Sequence, residues 1–207
     1  SGFTISTEAC TVFTAQGKAA ALKLIQAEVL EGVAFVEQQM GRRFGNAADP
    51  LLLSVRSGAR VSMPGMMDTI LNLGLNDEAV EGLIRKSGNA RFAWDSYRRF
   101  VQMYGDVVMG LKPVKKEDHD PFEVIIDMLK DKRGVKLDTE LDAADLQELV
   151  ARFKALTALR QRKHEDIDQE DVLEIADEAD TPEASLDRNN TSAILRACIS
   201  SRSVCIC

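Results

Sequence analysis

Residues 51–74, LLLSVRSGARVSMPGMMDTILNLG, combine an apolar run, two arginines and a Pro-Gly turn within a short space. Residues 51–55 are apolar and partly β-branched, too few for a helix and without a 3.6-residue period, so they read as a strand covered on both faces. Arg56, Ser57 and Gly58 follow at its exit. A guanidinium offers a fork of donors to phosphate oxygens, a hydroxyl adds one more, and glycine lets backbone N–H groups approach an anion. Pro64-Gly65 favours a type II turn with Gly65 at positive φ. A second apolar run, residues 70–75, closes the unit as a strand–loop–strand cradle. Residue types alone leave two readings open for Arg56: a phosphate ligand, or a surface ion-pair partner, the commoner fate of an arginine after a strand. The nucleotide loops GxxxxGK[ST] and GxGxxG are both absent.

Upstream, residues 3–5 predict a short strand, and Ser6 or Thr7 caps a helix ending at Gly17. From Lys18, the apolar set Leu22, Ile25, Val29, Val33, Val36 and Met40 keeps helical spacing up to Gly41. Downstream, Asn76 or Asp77 caps a helix that turns Val80, Leu83 and Ile84 inward and stops at Gly88. Tyr97, Phe100, Val101, Tyr104, Val108 and Leu111 hold the next helix's buried face, with Arg91, Arg98 and Arg99 largely elsewhere. Aromatics beside paired arginines also suit base stacking, although aromatics at this spacing usually form core. Asp120-Pro121 sets a cap and first-turn proline for a helix buried through Phe122, Ile125, Ile126 and Leu129. A last helix follows Asp142, with Leu146, Leu149, Val150, Phe153 and Leu156 as its stripe.

At 207 residues and 45% hydrophobic composition the chain has material for an ample core. Its net charge of −7 is uneven, because residues 165–180 hold nine acids and no base, leaving 24 acids against 26 bases elsewhere. A nearly neutral body argues against a general nucleic-acid binder, which needs a basic stripe. No stretch approaches the roughly 20 apolar residues that cross a bilayer. The opening SGFTIS has no start methionine and no leader pattern, and reads as a chain starting mid-protein. His119 and His164 read as solvated loop residues. The acidic run lacks the glycine-turned spacing of a calcium loop and reads as solvated or disordered. Three of the four cysteines fall after residue 192. That distribution fits a reducing compartment better than a disulfide framework. Cys205-Ile206-Cys207 is similar to a doubly prenylated tail, but the plainer expectation is an unrelated tail from altered splicing or a shifted frame.

The run SVRSGARVSMPGMMDTILNLGLND resembles the corresponding segment of pyruvate, phosphate dikinase, within its N-terminal ATP-grasp nucleotide-binding domain. The resemblance extends to GFTIST at residues 2–7 and to WDSYRRFVQMYGDVVM at residues 94–109, and fades near Lys154. It implies a family that interconverts ATP, phosphate and pyruvate with AMP, pyrophosphate and phosphoenolpyruvate. It implies that Arg56 contacts the ATP γ-phosphate, that Gly65 offers its backbone N–H to the same phosphate, and that Met67 lies close by. Arg60 and Asp68 lie in the same segment, where a supporting role is one reading and a solvated or loop-bracing charge is the commoner fate. Implied too are ATP with Mg2+ as ligand, a homodimer, and a cytoplasmic location, or a plastid one if a targeting segment precedes. The chain lacks the glycine-rich segment with its lysine, the acidic magnesium ligands, the phosphohistidine domain and the pyruvate barrel, so the isolated piece is expected to be catalytically incomplete.

The expected class is therefore α+β and helix-rich: a partial ATP-grasp-like nucleotide-binding domain. Residues 1–75 would form part of the ATP-grasp subdomain with the phosphate loop, 76–163 a helical subdomain, and 164–207 an acidic linker with an unrelated or disordered tail. The competing function is a non-catalytic helical interaction module that uses the acidic tail.

Overall fold

The computed structural model describes residues 1–57, 68–111, 119–168 and 204–206. In chain order its elements are β1 (Phe3–Ile5), α1 (Glu8–Met40), β2 (Arg43–Phe44), β3 (Pro50–Leu51), β4 (Leu53–Ser57), β5 (Thr69–Leu73), α2 (Asp77–Ser87), α3 (Ala90–Val107), α4 (Pro121–Arg133), α5 (Ala143–Asp168) and β6 (Val204–Ile206). A 3-10 turn at Asp138–Glu140 precedes α5. The protein is thus helix-rich with two small sheets. One sheet has the order β1-β6-β4-β5 with every pairing antiparallel, and the other pairs β2 with β3 in parallel.

The helix signals act locally. Asn76 accepts N–H bonds from Glu78 and Ala79, which meets two of the orphan donors at the start of α2. Asp120 accepts from Phe122 ahead of the first-turn Pro121, as its sequence position predicts. Thr7 occupies the N-cap position of α1 without a side-chain cap bond, so that expected cap is formed by position only. Gly17 is non-helical at φ +83 and ψ 178, so α1 consists of two helical stretches that meet at a kink there, in keeping with the expected stop at Gly17 and the second run up to Gly41. α1 can lie against β1 because Gly32 has no side chain: a Cβ there would come within 2.8 Å of the Phe3 ring.

Two apolar clusters result. In the first, Ile25, Val29, Val33 and Val36 of α1 pack on Leu51, Leu53, Val55, Ile70 and Leu73. In the second, Phe122 meets Phe153 edge-on at 4.7 Å, surrounded by Val80, Trp94, Tyr97, Ile126, Leu146, Leu149 and Val150. Each fully buried aliphatic or aromatic side chain contributes about 1.5–3 kcal/mol on transfer from water.

Three sequence expectations are corrected. Residues 51–55 are not one strand, for Leu52 separates β3 from β4 and the two belong to different sheets. Their burial alternates: Leu51, Leu53 and Val55 enter the first cluster, Leu52 packs against the second, and Arg56 is exposed. Arg98 does not stand off the buried face of α3. It is 6% exposed, because Asp95 receives its Nε and Nη2 and Gln102 its Nη1. The acidic run begins inside α5, which reaches Asp168, while residues 169–203 lie outside the described part. β6, which falls within the expected tail, pairs with both β1 and β4.

Candidate functional site

Alternation along β4 sets the site. Val55 points into the core at 1% exposure, so the next residue, Arg56, is delivered to the exposed side. Arg56 faces Thr69 of β5 across the sheet and Cys205 of β6 on the other side. Because β4 and β5 are antiparallel, the two ends of the intervening span come together there, at roughly the 5 Å spacing of adjacent strands. An exposed guanidinium thus sits at the mouth of the span. Gly65, Met67 and Arg60 belong to residues 58–67, outside the described part, so they stand in sequence between two placed strands. Asp68 begins the return, half-buried beside Thr69.

A residue that sequence reasoning passed over also shapes this hairpin. Asn72 sits in β5 at φ +59 and donates from Nδ2 to the Ser96 carbonyl of α3 at 3.3 Å. Its signal was present: it is an asparagine, tolerant of left-handed backbone, inside an apolar run.

A separate cleft of about 480 Å3 opens at the C-terminal end of α1, where Glu37, Arg42, Arg43, Asn46 and Asp49 are among its lining residues. Of its charged lining residues, Arg42 and Asp49 pair with each other. Asp49 is bonded to Lys86 at 2.6 Å and paired with Arg42 at 3.3 Å. The Lys86 hydrogen bond, aided by Arg42 and opposed by desolvation, holds the Asp49 carboxyl below its ordinary range. Glu37 accepts the Phe44 N–H at 2.7 Å.

Trp94, Tyr97 and Phe100 of α3 pack in the core, whereas Phe92 is exposed. Tyr97 is 4% exposed, lies parallel to Phe100 at 6.4 Å, and donates its hydroxyl to Asp77 at 3.1 Å. Burial first, and the Asp77 carboxylate second, push the Tyr97 hydroxyl far above its ordinary value. His119 is exposed just before α4, in keeping with a solvated loop residue. His164 lies in α5 and so is not a loop residue. Among the described residues no three His, Cys, Asp or Glu side chains converge on a metal position. No helix among the described residues is long and apolar enough to cross a membrane.

Residues 21–176 match the family model for the pyruvate phosphate dikinase AMP/ATP-binding domain, an interval that contains Arg56, Gly65, Met67 and Asn72. Over 155 residues the chain is 56% identical to pyruvate, phosphate dikinase of Clostridium symbiosum, covering 75% of this chain and 17% of that protein. It is 49% identical over 193 residues to the chloroplastic pyruvate, phosphate dikinase of Mesembryanthemum crystallinum, covering 91% and 20%. The pyruvate, phosphate dikinase of Giardia intestinalis is 50% identical over 155 residues, covering 75% and 17%. The chain thus spans a fifth or less of the length of these curated relatives.

Proposed function

This chain belongs to the pyruvate, phosphate dikinase family and is part of its ATP-binding portion, and from that premise we propose that the β4–β5 hairpin recognises the terminal phosphate of ATP. Arg56 supplies the charged fork and Gly65 a backbone N–H from the Pro-Gly turn, with Met67 close by. The observation that carries the reading is the placement of Arg56. It is exposed, directly after buried Val55, and in register with the residue where the span holding Gly65 returns to the sheet.

The chemistry asks for this kind of group. A transferred phosphoryl group spreads negative charge over its oxygens, and positioned donors stabilise it without a nucleophilic side chain. Arginine suits the role because its planar donors stay charged and engage two oxygens together. Mg2+ would neutralise further phosphate charge when bound.

In the whole enzyme, the same site would serve the interconversion of ATP, phosphate and pyruvate with AMP, pyrophosphate and phosphoenolpyruvate, in a homodimer. The chain would supply phosphate recognition, and turnover would draw on further parts of that enzyme. A cytoplasmic location is proposed, with the plastid as the alternative suggested by the chloroplastic relatives.

Calorimetric titration with Mg·ATP tests the reading. Hydrogen bonds to charged groups contribute about 1.5–3 kcal/mol, so Arg56→Ala should weaken binding roughly ten- to a hundredfold. Gly65→Pro, which removes the N–H, should also weaken it. An intact chain that does not bind, or an Arg56→Ala variant that binds equally well, defeats the proposal.

A further inference from the structure

Pairing between β4 and β5 runs Leu53↔Leu73, then Val55↔Ile70 and Arg56↔Thr69. Two steps along β4 are therefore met by three along β5, so β5 carries one extra residue between Ile70 and Leu73. Asn72 stands there with φ +59, a left-handed conformation that no other described non-glycine residue adopts. The reason lies in the apolar pattern. Ile70 and Leu73 are both 1% exposed, yet residues three apart on a regular strand point to opposite faces. The extra residue returns Leu73 to the core face, and Leu71 is left 38% exposed. Asparagine tolerates the left-handed backbone, and its bond to the Ser96 carbonyl ties the bulge to α3.

We propose that Asn72 is a positioning residue for Arg56: its left-handed bulge sets the β4–β5 register that holds Arg56 opposite Thr69. The inference rests on reading this hairpin as the ATP phosphate site. Without the bulge, and with Leu53 kept opposite Leu73, Val55 would face Leu71 and Arg56 would face Ile70. A one-residue slip of this kind exchanges core and solvent faces along one strand. Arg56 would then keep its charge but lose its place at the mouth of the span.

The test uses the full chain with Asn72→Gly, Asn72→Asp and Asn72→Ala, beside Arg56→Ala. Two quantities are read: cross-strand backbone NOEs between Arg56 and Thr69, and Mg·ATP affinity. Glycine adopts positive φ freely, so Asn72→Gly should keep the NOEs and an affinity within about twofold of the parent. Aspartate tolerates the conformation but cannot donate to Ser96; it should keep the NOEs and lose no more than about threefold in affinity. Alanine should lose the NOEs and weaken Mg·ATP at least about tenfold, the scale of a misplaced charged contact.

Parent-like NOEs or parent-like affinity in Asn72→Ala would overturn the inference, as would loss of the NOEs in Asn72→Gly. That last arm decides the matter if Asn72→Ala fails to fold. If Arg56→Ala weakens binding and Asn72→Ala does not, only the positioning role falls. If Arg56→Ala binds Mg·ATP as the parent does, the phosphate reading falls and the positioning role with it.

Discussion

The helical cluster and the four-stranded sheet are assembled from different distances along the chain. The helical one draws its buried members from residues 75–153, and its helices begin and end on nearby groups such as Asn76, Gly88, Asn89, Asp120 and Gly134. The four-stranded sheet has no such economy. Its four strands come from residues 3–5, 53–57, 69–73 and 204–206, with β6 placed between β1 and β4. Local contacts form early and cheaply, whereas remote strand pairing has to overcome loop-closure entropy first. The proposed phosphate-reading arginine stands on the sheet side of this divide, on the strand that pairs with both β5 and β6. The difference teaches that the scaffold can be robust where the site is sensitive.

The largest expected effect strikes the helical cluster. Phe153 is fully buried against Phe122, and Phe153→Ala should cost about 3–5 kcal/mol in urea unfolding followed by circular dichroism. A loss below about 1 kcal/mol would show that this pair does not anchor the cluster. Alkaline pH sharpens the same point. Tyr97 has its folded pKa raised, so its stabilising effect is complete below the unfolded value near 10 and declines as pH rises through and above it. Stability should fall there with a slope of at most about 1.4 kcal/mol per pH unit from this group, and Tyr97→Phe should flatten it. An unchanged slope would assign the alkaline loss elsewhere.

A single cap is worth less. Asn76→Ala should destabilise by about 1 kcal/mol, read as a shift in urea midpoint at constant slope. The smallest effect on global stability falls on the sheet. β6 is the strand on which β1 pairs among the described residues. Ending the chain at Ser203 should raise amide exchange in residues 3–5 about tenfold or more while the centre of α5 stays protected. Equal protection of residues 3–5 with and without β6 would erase the contrast between the two regions.

Legibility in the sequence follows the same division. Caps, C-terminal glycines and apolar periods are written within a few residues of where they act, so α2, α4 and the start of α5 could be placed closely. The long run from Lys18 to Gly41 was legible for the same reason, and so was the return of the chain from Arg56 to a second strand. What could not be read depended on partners far away. Nothing near Val204 indicates that it will pair between β1 and β4. The split at Leu52 depends on β2, and the burial of Arg98 on a carboxylate one helical turn earlier meeting a packed neighbourhood. Asn72 is the instructive case in the candidate site, because its bulge becomes evident only once Ile70 and Leu73 are both seen to be buried. Arg56 was legible as a strand-end cation, while Gly65 and Met67 lie outside the described residues.

The most direct measurement compares Mg·ATP with Mg·ADP for the parent chain and for Arg56→Ala, since the two nucleotides differ by the phosphate that Arg56 is proposed to hold. The account predicts that the parent prefers Mg·ATP by about tenfold or more and that the preference shrinks towards one when the guanidinium is removed. A preference that survives Arg56→Ala intact would contradict it.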